Sequence, residues 1–252
     1  MMRKKFIVFI AVIIIPILIL VIDHYVFNEE IEIDSQYDQS QEWQDIIKNQ
    51  DDYPTSLLKL AMHNKETIPF VSAYPQEHQK NLSMSLENDL KDREIPLLLQ
   101  WDKRWGYKMY GDEMMGINGC GPTCLSMVVS YLKQNPQYNP YYIAQYAYQK
   151  GYYSQAGTTW DLMNEGASHF GVKVQELSLD ENAIAEALKQ GQPIICSVRK
   201  GIFTSEGHFI VLREYKDGLI YVNDPNSPIK SQKGYTFQEL YSQIRNLWVY
   251  SL

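Results

Sequence analysis

Three short apolar segments near the C-terminal end of the chain constrain its fold more than any other feature. They span residues 193–198, 208–212 and 219–222, and each has the length of a β-strand. The Lys-Asp-Gly tripeptide at 216–218 separates the last two segments and is typical of a hairpin turn. The connections are too short for the crossover helices that parallel strands require, so we predict neighbouring antiparallel strands.

Helical patterns precede these strands. An apolar pattern predicts a helix from Cys120 to about Leu132, with Pro122 suited to its first turn. The other predicted elements are a short strand or extended segment at 95–100, helices at 139–150 and 158–170, a strand at 172–177, a helix that ends near residue 190, a helix at 237–245 and an extended segment at 247–251. Helices followed by an antiparallel meander indicate an α+β fold.

The N-terminal end has the pattern of a membrane anchor. Arg3, Lys4 and Lys5 precede an unbroken apolar run at 6–22, which is at the short end of the range of about 17 to 25 residues for a transmembrane helix. Because no small-x-small cleavage site follows, we expect an uncleaved signal anchor in place of a cleaved signal peptide. The positive residues should stay in the cytoplasm, which predicts a single-pass protein of the cell membrane with its main part extracellular.

We therefore predict four parts. They are a cytoplasmic N-terminus at 1–5, a transmembrane signal anchor at 6–22, an extracellular helical spacer at 23–94 and a domain with the candidate chemistry at 95–252. Polar, helix-favouring sequence interrupted by prolines fills most of the third part. Helices are predicted there at 40–49 and 54–63, with a third candidate at 81–92. A prodomain or lid remains the alternative to a spacer there.

Charge and cysteine content exclude two classes of protein. The 252 residues include 30 acidic and 23 basic side chains, which gives a net charge of -7 and a pI of about 5.3. A nucleic-acid-binding protein would present a basic face. Three cysteines are too few for a disulfide scaffold, and the odd number implies a free thiol or an intermolecular bond. The sequence does not decide whether Cys124 and Cys196 form a disulfide.

Cys120 is the candidate nucleophile. It lies in the sequence Gly-Cys-Gly-Pro at the start of the predicted helix, where the positive helix end stabilises a thiolate. Glycines on both sides allow close backbone approach and leave the thiol accessible. Cys124 and Cys196 have apolar neighbours and are expected to be buried structural residues.

His208 is the candidate base. Among five histidines, His208 is the one that follows a glycine and begins an apolar strand. Asp224 follows one hairpin later, and adjacent antiparallel strands can bring the imidazole to a carboxylate that fixes its tautomer. The order Cys, His, Asp along the chain is that of papain-like hydrolases.

Four motifs, taken together, resemble the C39-like peptidase domain family of bacteria, which is part of the papain-like cysteine peptidase superfamily. They are Gln-Trp-Asp-Lys-Arg-Trp-Gly at 100–106, Gly-Cys-Gly-Pro-Thr at 119–123, Gly-His-Phe-Ile-Val-Leu at 207–212 and Asn-Asp-Pro-Asn at 223–226. The resemblance covers residues 95 to 250 approximately. It implies a papain-like α+β fold, in which a helix carrying the cysteine packs on an antiparallel sheet carrying the histidine and aspartate.

The resemblance also implies roles for single residues. Cys120 would be the nucleophile, His208 the general base and Asp224 the residue that orients the imidazole. Gln100 would add its side-chain amide to the oxyanion hole beside the backbone N–H of Cys120. No metal and no organic cofactor is expected.

The predicted function is hydrolysis of amide bonds, in a peptide or protein substrate, by a membrane-anchored extracellular thiol enzyme. Cell-wall peptide is one candidate substrate, so a peptidoglycan-directed amidase or endopeptidase on the same fold is an alternative. A non-catalytic surface module that binds peptide or protein is a second alternative. The complete set of cysteine, histidine and aspartate favours an enzyme, because a binding module needs none of them.

Overall fold

The computed structural model describes residues 36–252, of which residues 38–252 form one compact unit. The expected membrane anchor at 6–22 lies outside the described residues, as do its flanks at 1–5 and 23–35. Within the described part, no helix is both long enough and apolar enough to cross a membrane.

A six-stranded antiparallel sheet forms the centre of this unit. Its strands run in the order β5-β10-β6-β7-β8-β9. Their bounds are β5 Lys173–Glu176, β6 Ile194–Val198, β7 His208–Lys216, β8 Leu219–Asn223, β9 Gly234–Tyr235 and β10 Ile244–Ser251. The three closely spaced strands are confirmed, and Asp217 and Gly218 both take the positive φ angles, 53° and 77°, that a tight hairpin turn requires.

Two short hairpins and eleven helices complete the described part. The hairpins pair β1 Met109–Tyr110 with β2 Glu113–Met114, and β3 Tyr153–Ser154 with β4 Gly157–Thr158. The helices are α1 Gln41–Lys48, α2 Thr55–His63, α3 Ile68–Ser72, α4 Tyr74–Glu77, α5 Met115–Asn118, α6 Cys120–Lys133, α7 Pro140–Gln149, α8 Glu165–Ser168, α9 Glu181–Lys189, α10 Pro228–Ser231 and α11 Phe237–Tyr241. Single 3-10 turns lie at Gln50–Asp52, Lys65–Thr67 and Trp160–Leu162.

Both faces of the sheet are covered, which explains why every residue of β6 is buried. Ile195 packs in the core that contains the buried side of α6. Its neighbours Ile194 and Cys196 face the opposite way, into the core beneath α9. The alternation follows from the two-residue period of a strand, and it places α6, with Cys120 at its first position, directly against the sheet.

The residues before the sheet domain belong to the same compact unit. Helices predicted at 40–49 and 54–63 are present as α1 and α2. Residues 81–92 contain turns where a third helix was predicted. The ring of Phe70 stacks on Tyr107 at 4.3 Å between centroids, and the Tyr107 hydroxyl donates to the Phe70 carbonyl at 2.6 Å.

Two further predicted helices were wrong in extent. Residues 158–170 contain the end of β4, a 3-10 turn and the short α8, because Asn164 has a non-helical backbone (φ -101°, ψ -85°) that separates the last two. The helix predicted at 237–245 ends at Tyr241, because β10 begins at Ile244 and pairs there with Val198. The strand at 172–177 is confirmed as β5, whereas 95–99 has no regular secondary structure.

Candidate active site

Cys120 is the first residue of α6, and its surroundings explain the glycines on either side. A side chain at Gly119 would place a Cβ 2.4 Å from the Met115 carbonyl oxygen. A side chain at Gly121 would meet Thr158 at 2.7 Å. The backbone therefore approaches its neighbours too closely for any other residue, while the Cys120 side chain stays partly exposed.

His208 and Asp224 meet because of the strand register. β7 pairs with β8 so that Val211 lies opposite Asn223, and the loop after β8 therefore passes the start of β7, where His208 lies. The Nε2 atom of His208 is 2.7 Å from Oδ1 of Asp224, and both side chains are buried. This contact leaves Nδ1 as the ring nitrogen available to the sulfur of Cys120.

The electrostatics of this pair favour the imidazolium. Burial disfavours a charged His208 ring, but the Asp224 carboxylate and the interaction with Cys120 outweigh burial and raise the pKa of His208 to about 10. Asp224 is completely buried. Its Oδ1 also accepts the backbone N–H of Asn226 at 2.8 Å, whereas Oδ2 has no hydrogen-bond partner among the residues described.

Gln100 lies beside these groups, in a constrained position. Its backbone N–H donates to the Pro225 carbonyl at 2.8 Å, next to Asp224. Its side-chain Nε2 donates to the carbonyls of Gly116 at 2.9 Å and Ile117 at 3.1 Å. Gln100 therefore holds the segment that leads into Cys120. Its assignment to the oxyanion hole stays a prediction.

One cavity of about 390 Å³ joins these residues. Cys120, His208 and Gln100 all line it, and Asp224 lies behind His208. Trp160 and Arg245 also line the cavity, with the guanidinium 5.4 Å from the centre of the indole ring. Sequence reasoning missed both residues.

A β-bulge explains why Arg245 was missed. The register of β10 against β6 shifts between Ile244 and Asn246, so that Arg245 leaves the regular alternation of the strand. No local pattern in the sequence marks this bulge.

The other cysteines, and the other histidines within residues 36–252, lie away from this cavity. All three cysteines are free thiols, and burial raises the pKa of both Cys124 and Cys196. The rings of His63 and His78 bond to backbone carbonyls one helical turn earlier, and His169 stacks on a tyrosine. Within residues 36–252, no group of three or more His, Cys, Asp or Glu side chains is arranged to hold a metal ion.

A family model assigns the chain to a peptidase family independently of this geometry. The model described as the Peptidase_C39 like family matches residues 93–251. The chain belongs to this family. It is accordingly a cysteine peptidase with a C39-like α+β fold.

Solved structures also match parts of this chain. The peptidase domain of Streptococcus ComA, a bi-functional ABC transporter involved in a quorum sensing pathway, has 21% identity and a TM-score of 0.43, over 53% of this chain and 91% of that one. A C39-like peptidase from Bacillus anthracis has 15% identity and a TM-score of 0.41, over 67% and 97%. A double glycine motif protease from an AMS/PCAT transporter, in complex with the leader peptide, has 19% identity and a TM-score of 0.38, over 52% and 82%. No curated protein matches the chain.

Proposed function

We propose that this C39-like peptidase hydrolyses peptide bonds with Cys120 as nucleophile, His208 as acid and base, and Asp224 as the residue that orients the imidazole. The observation that carries the proposal is the 2.7 Å contact between His208 and Asp224, on a ring that also interacts with Cys120 at the wall of one cavity. A nucleophile within reach of a base that a third group orients is the arrangement that covalent catalysis requires.

The reaction follows from these positions. The Cys120 thiolate attacks the carbonyl carbon of the substrate, and a tetrahedral oxyanion forms. His208 gives its proton to the departing amine, which leaves an acyl-enzyme on the sulfur. Water then attacks this thioester with His208 as base, and the acid product leaves as the thiol is regenerated. Asp224 holds the ring through Nε2 in both steps, so that Nδ1 remains directed to the reacting atoms.

Two N–H groups are candidates to bind the oxyanion. Cys120 is in the first turn of α6, where backbone N–H groups have no acceptor within the helix. The amide of Gln100 is the second candidate, and one of its N–H groups must exchange the carbonyl of Gly116 or Ile117 for the oxyanion when substrate binds. Each such donor contributes on the order of 100-fold or more to the rate.

A comparison of two reagents tests the role of Gln100. Acylation of Cys120 by p-nitrophenyl acetate passes through an oxyanion, whereas alkylation by iodoacetamide does not. In Gln100→Ala we expect acylation to slow about 100-fold, with little change in alkylation. The matched control is Asn118→Ala, which removes another amide from the cavity wall. Equal loss of both reactions in Gln100→Ala would instead make Gln100 a residue that only positions the loop.

The nucleophile itself is tested by active-site labelling with a peptide-like electrophile. Cys120→Ala should abolish labelling, while the matched change Cys124→Ala should leave it intact, because Cys124 is completely buried. Labelling that survives in folded Cys120→Ala would remove this residue from the mechanism.

We also propose that the run at 6–22 anchors the protein in the cell membrane, with 23–94 and the peptidase domain at 95–252 on the extracellular side. The basic residues Arg3, Lys4 and Lys5 support this orientation. The substrate would then be an extracellular peptide or protein. Recovery of the full-length chain from the cytosolic fraction would contradict the anchor.

A further inference from the structure

A segment outside the family domain contacts the loop that carries Asp224. The family match begins at residue 93, yet the Asn64 side chain donates from Nδ2 to the Asn226 carbonyl at 2.8 Å and to Asn226 Oδ1 at 3.3 Å. The backbone N–H of the same Asn226 donates to Asp224 Oδ1, which is the oxygen bonded to His208. A continuous series of hydrogen bonds therefore connects Asn64 to the catalytic imidazole.

Glu66 holds the same loop one residue further along. Its Oε1 accepts the Ser227 hydroxyl, and its Oε2 accepts the Ile229 backbone N–H at 3.0 Å. Ser227 in turn caps α10 by accepting the N–H of Lys230. Both oxygens of one carboxylate are thus engaged with two of the three residues that follow Asn226, Ser227 and Ile229, which fixes the end of the loop opposite Asp224.

Phe70 contacts the other side of the catalytic cleft. Its ring lies so close to Gly106 and Gly116 that a Cβ on either glycine would be 2.7 Å or 3.0 Å from it. The carbonyl of Gly116 is one of the two that bind the Gln100 amide. The aromatic ring therefore packs on the segment that leads into Cys120, while Asn64 and Glu66 bind the loop of Asp224.

We propose that residues 64–70, called the docking segment here, are a positioning part of the catalytic site, with Asn64 and Glu66 setting the place of Asp224 relative to His208. This proposal rests on the proposed function of Asp224. In this proposal the segment is not a passive spacer, because its contacts govern the charge and orientation of the imidazole. A passive spacer needs no polar contact with this loop.

The test measures the titration of the His208 ring in the full chain, followed by NMR of isotope-labelled histidine and assigned with His208→Ala. The charged or titratable groups that face this ring are Asp224 and Cys120, and Glu206 and Arg245 line the same cavity. In Asn64→Ala, we expect the midpoint to fall by about one pH unit, as a weakened carboxylate contact requires. Because the ring stays charged at pH 6 even with the lowered midpoint, alkylation of Cys120 by iodoacetamide at that pH should change little.

Three further variants complete the experiment. Glu66→Gln keeps the size of the side chain but cannot satisfy both donors as a carboxylate does, so its midpoint should fall by less than that of Asn64→Ala. This milder change also serves if Asn64→Ala does not fold. Glu77→Gln is the matched control, because Glu77 pairs with Lys80 in the same N-terminal region. Asp224→Asn shows how far the midpoint of His208 falls when the carboxylate charge is lost completely.

The outcomes separate the two proposals. An unchanged midpoint in Asn64→Ala and Glu66→Gln, with a lowered midpoint in Asp224→Asn, would overturn the positioning role while leaving the catalytic set in place. An equal fall in Glu77→Gln would also overturn it, by showing a general loss of stability. Cys120 alkylation that is unaffected in His208→Ala would instead contradict the proposed catalytic pair, and the His208 midpoints would still report whether the docking segment positions Asp224.

Discussion

Replacement of Asp224 by asparagine should destabilise the protein in a manner that depends on pH. The pKa of His208 is raised from 6.5 to about 10 in the folded state, with Asp224 as the principal stabiliser of the imidazolium. A shift of this size, at about 1.4 kcal/mol for each pKa unit, corresponds to about 3 to 5 kcal/mol, which is also the typical effect of breaking a buried ion pair. Asparagine keeps the shape and an acceptor for the Asn226 N–H, but it removes the charge.

The sign follows from the direction of the shift. Because the folded-state pKa is raised, the pair contributes its full stability below the ordinary value of 6.5 and loses it as the pH rises through about 10. We therefore expect the difference in free energy of unfolding between wild type and Asp224→Asn to be largest near pH 6 and small near pH 10. Urea unfolding at both pH values measures it. A difference that does not depend on pH would refute an ionised His208–Asp224 pair.

Three more predictions concern the thiols, the start of α6 and the membrane topology. Cys124→Ala and Cys196→Ala should each cost about 1 to 2 kcal/mol in urea unfolding and keep electrophile labelling; loss of labelling in either folded variant would move the nucleophile. Gly121→Ala should lower the free energy of unfolding by about 1 to 3 kcal/mol and slow labelling, because its Cβ would overlap Thr158. Unaltered stability would show that the contact between position 121 and Thr158 relaxes without cost. Protease added to intact cells should digest residues 29–252 and spare the N-terminal end, and full protection would contradict the extracellular orientation.

Local patterns were enough to predict the central strands and the positions of the candidate catalytic residues along them. The Asp-Gly turn favours a hairpin, and the connections between β6, β7 and β8 are too short for the crossovers that parallel strands need. These three strands are therefore expected to be antiparallel. That arrangement places His208 at a strand start and Asp224 just after the next strand, as the structure has them. A cysteine between two glycines at a helix start is equally local, and α6 begins at Cys120.

Features that depend on distant contacts were not predictable in this way. Residues 158–170 have a helical pattern, but β4 pairs with β3 and Asn164 interrupts the remainder. The bond between Asn64 and Asn226 joins residues that are 162 positions apart, and no periodicity in either sequence indicates it. Arg245 enters the cavity at a bulge, which is a property of how two strands pair and not of either strand alone.

The loop that follows β8 explains why a peptidase of this kind benefits from a docking segment. A loop is ordinarily among the more mobile parts of a protein, yet this one carries a fully buried carboxylate whose Oδ1 contacts the His208 ring. The Asp224 N–H donates to the Ser231 hydroxyl at 2.8 Å, and the Pro225 carbonyl accepts the backbone N–H of Gln100 at 2.8 Å. Asn64 and the indole of Trp101 both donate to the Asn226 carbonyl from outside the loop, and each such bond contributes about 0.5 to 1.5 kcal/mol. Asn64 and Trp101 themselves do not line the cavity, whereas Asn226 does. Because the two donors would act on the orientation of the proposed catalytic imidazole, their loss should lower kcat more than it raises KM.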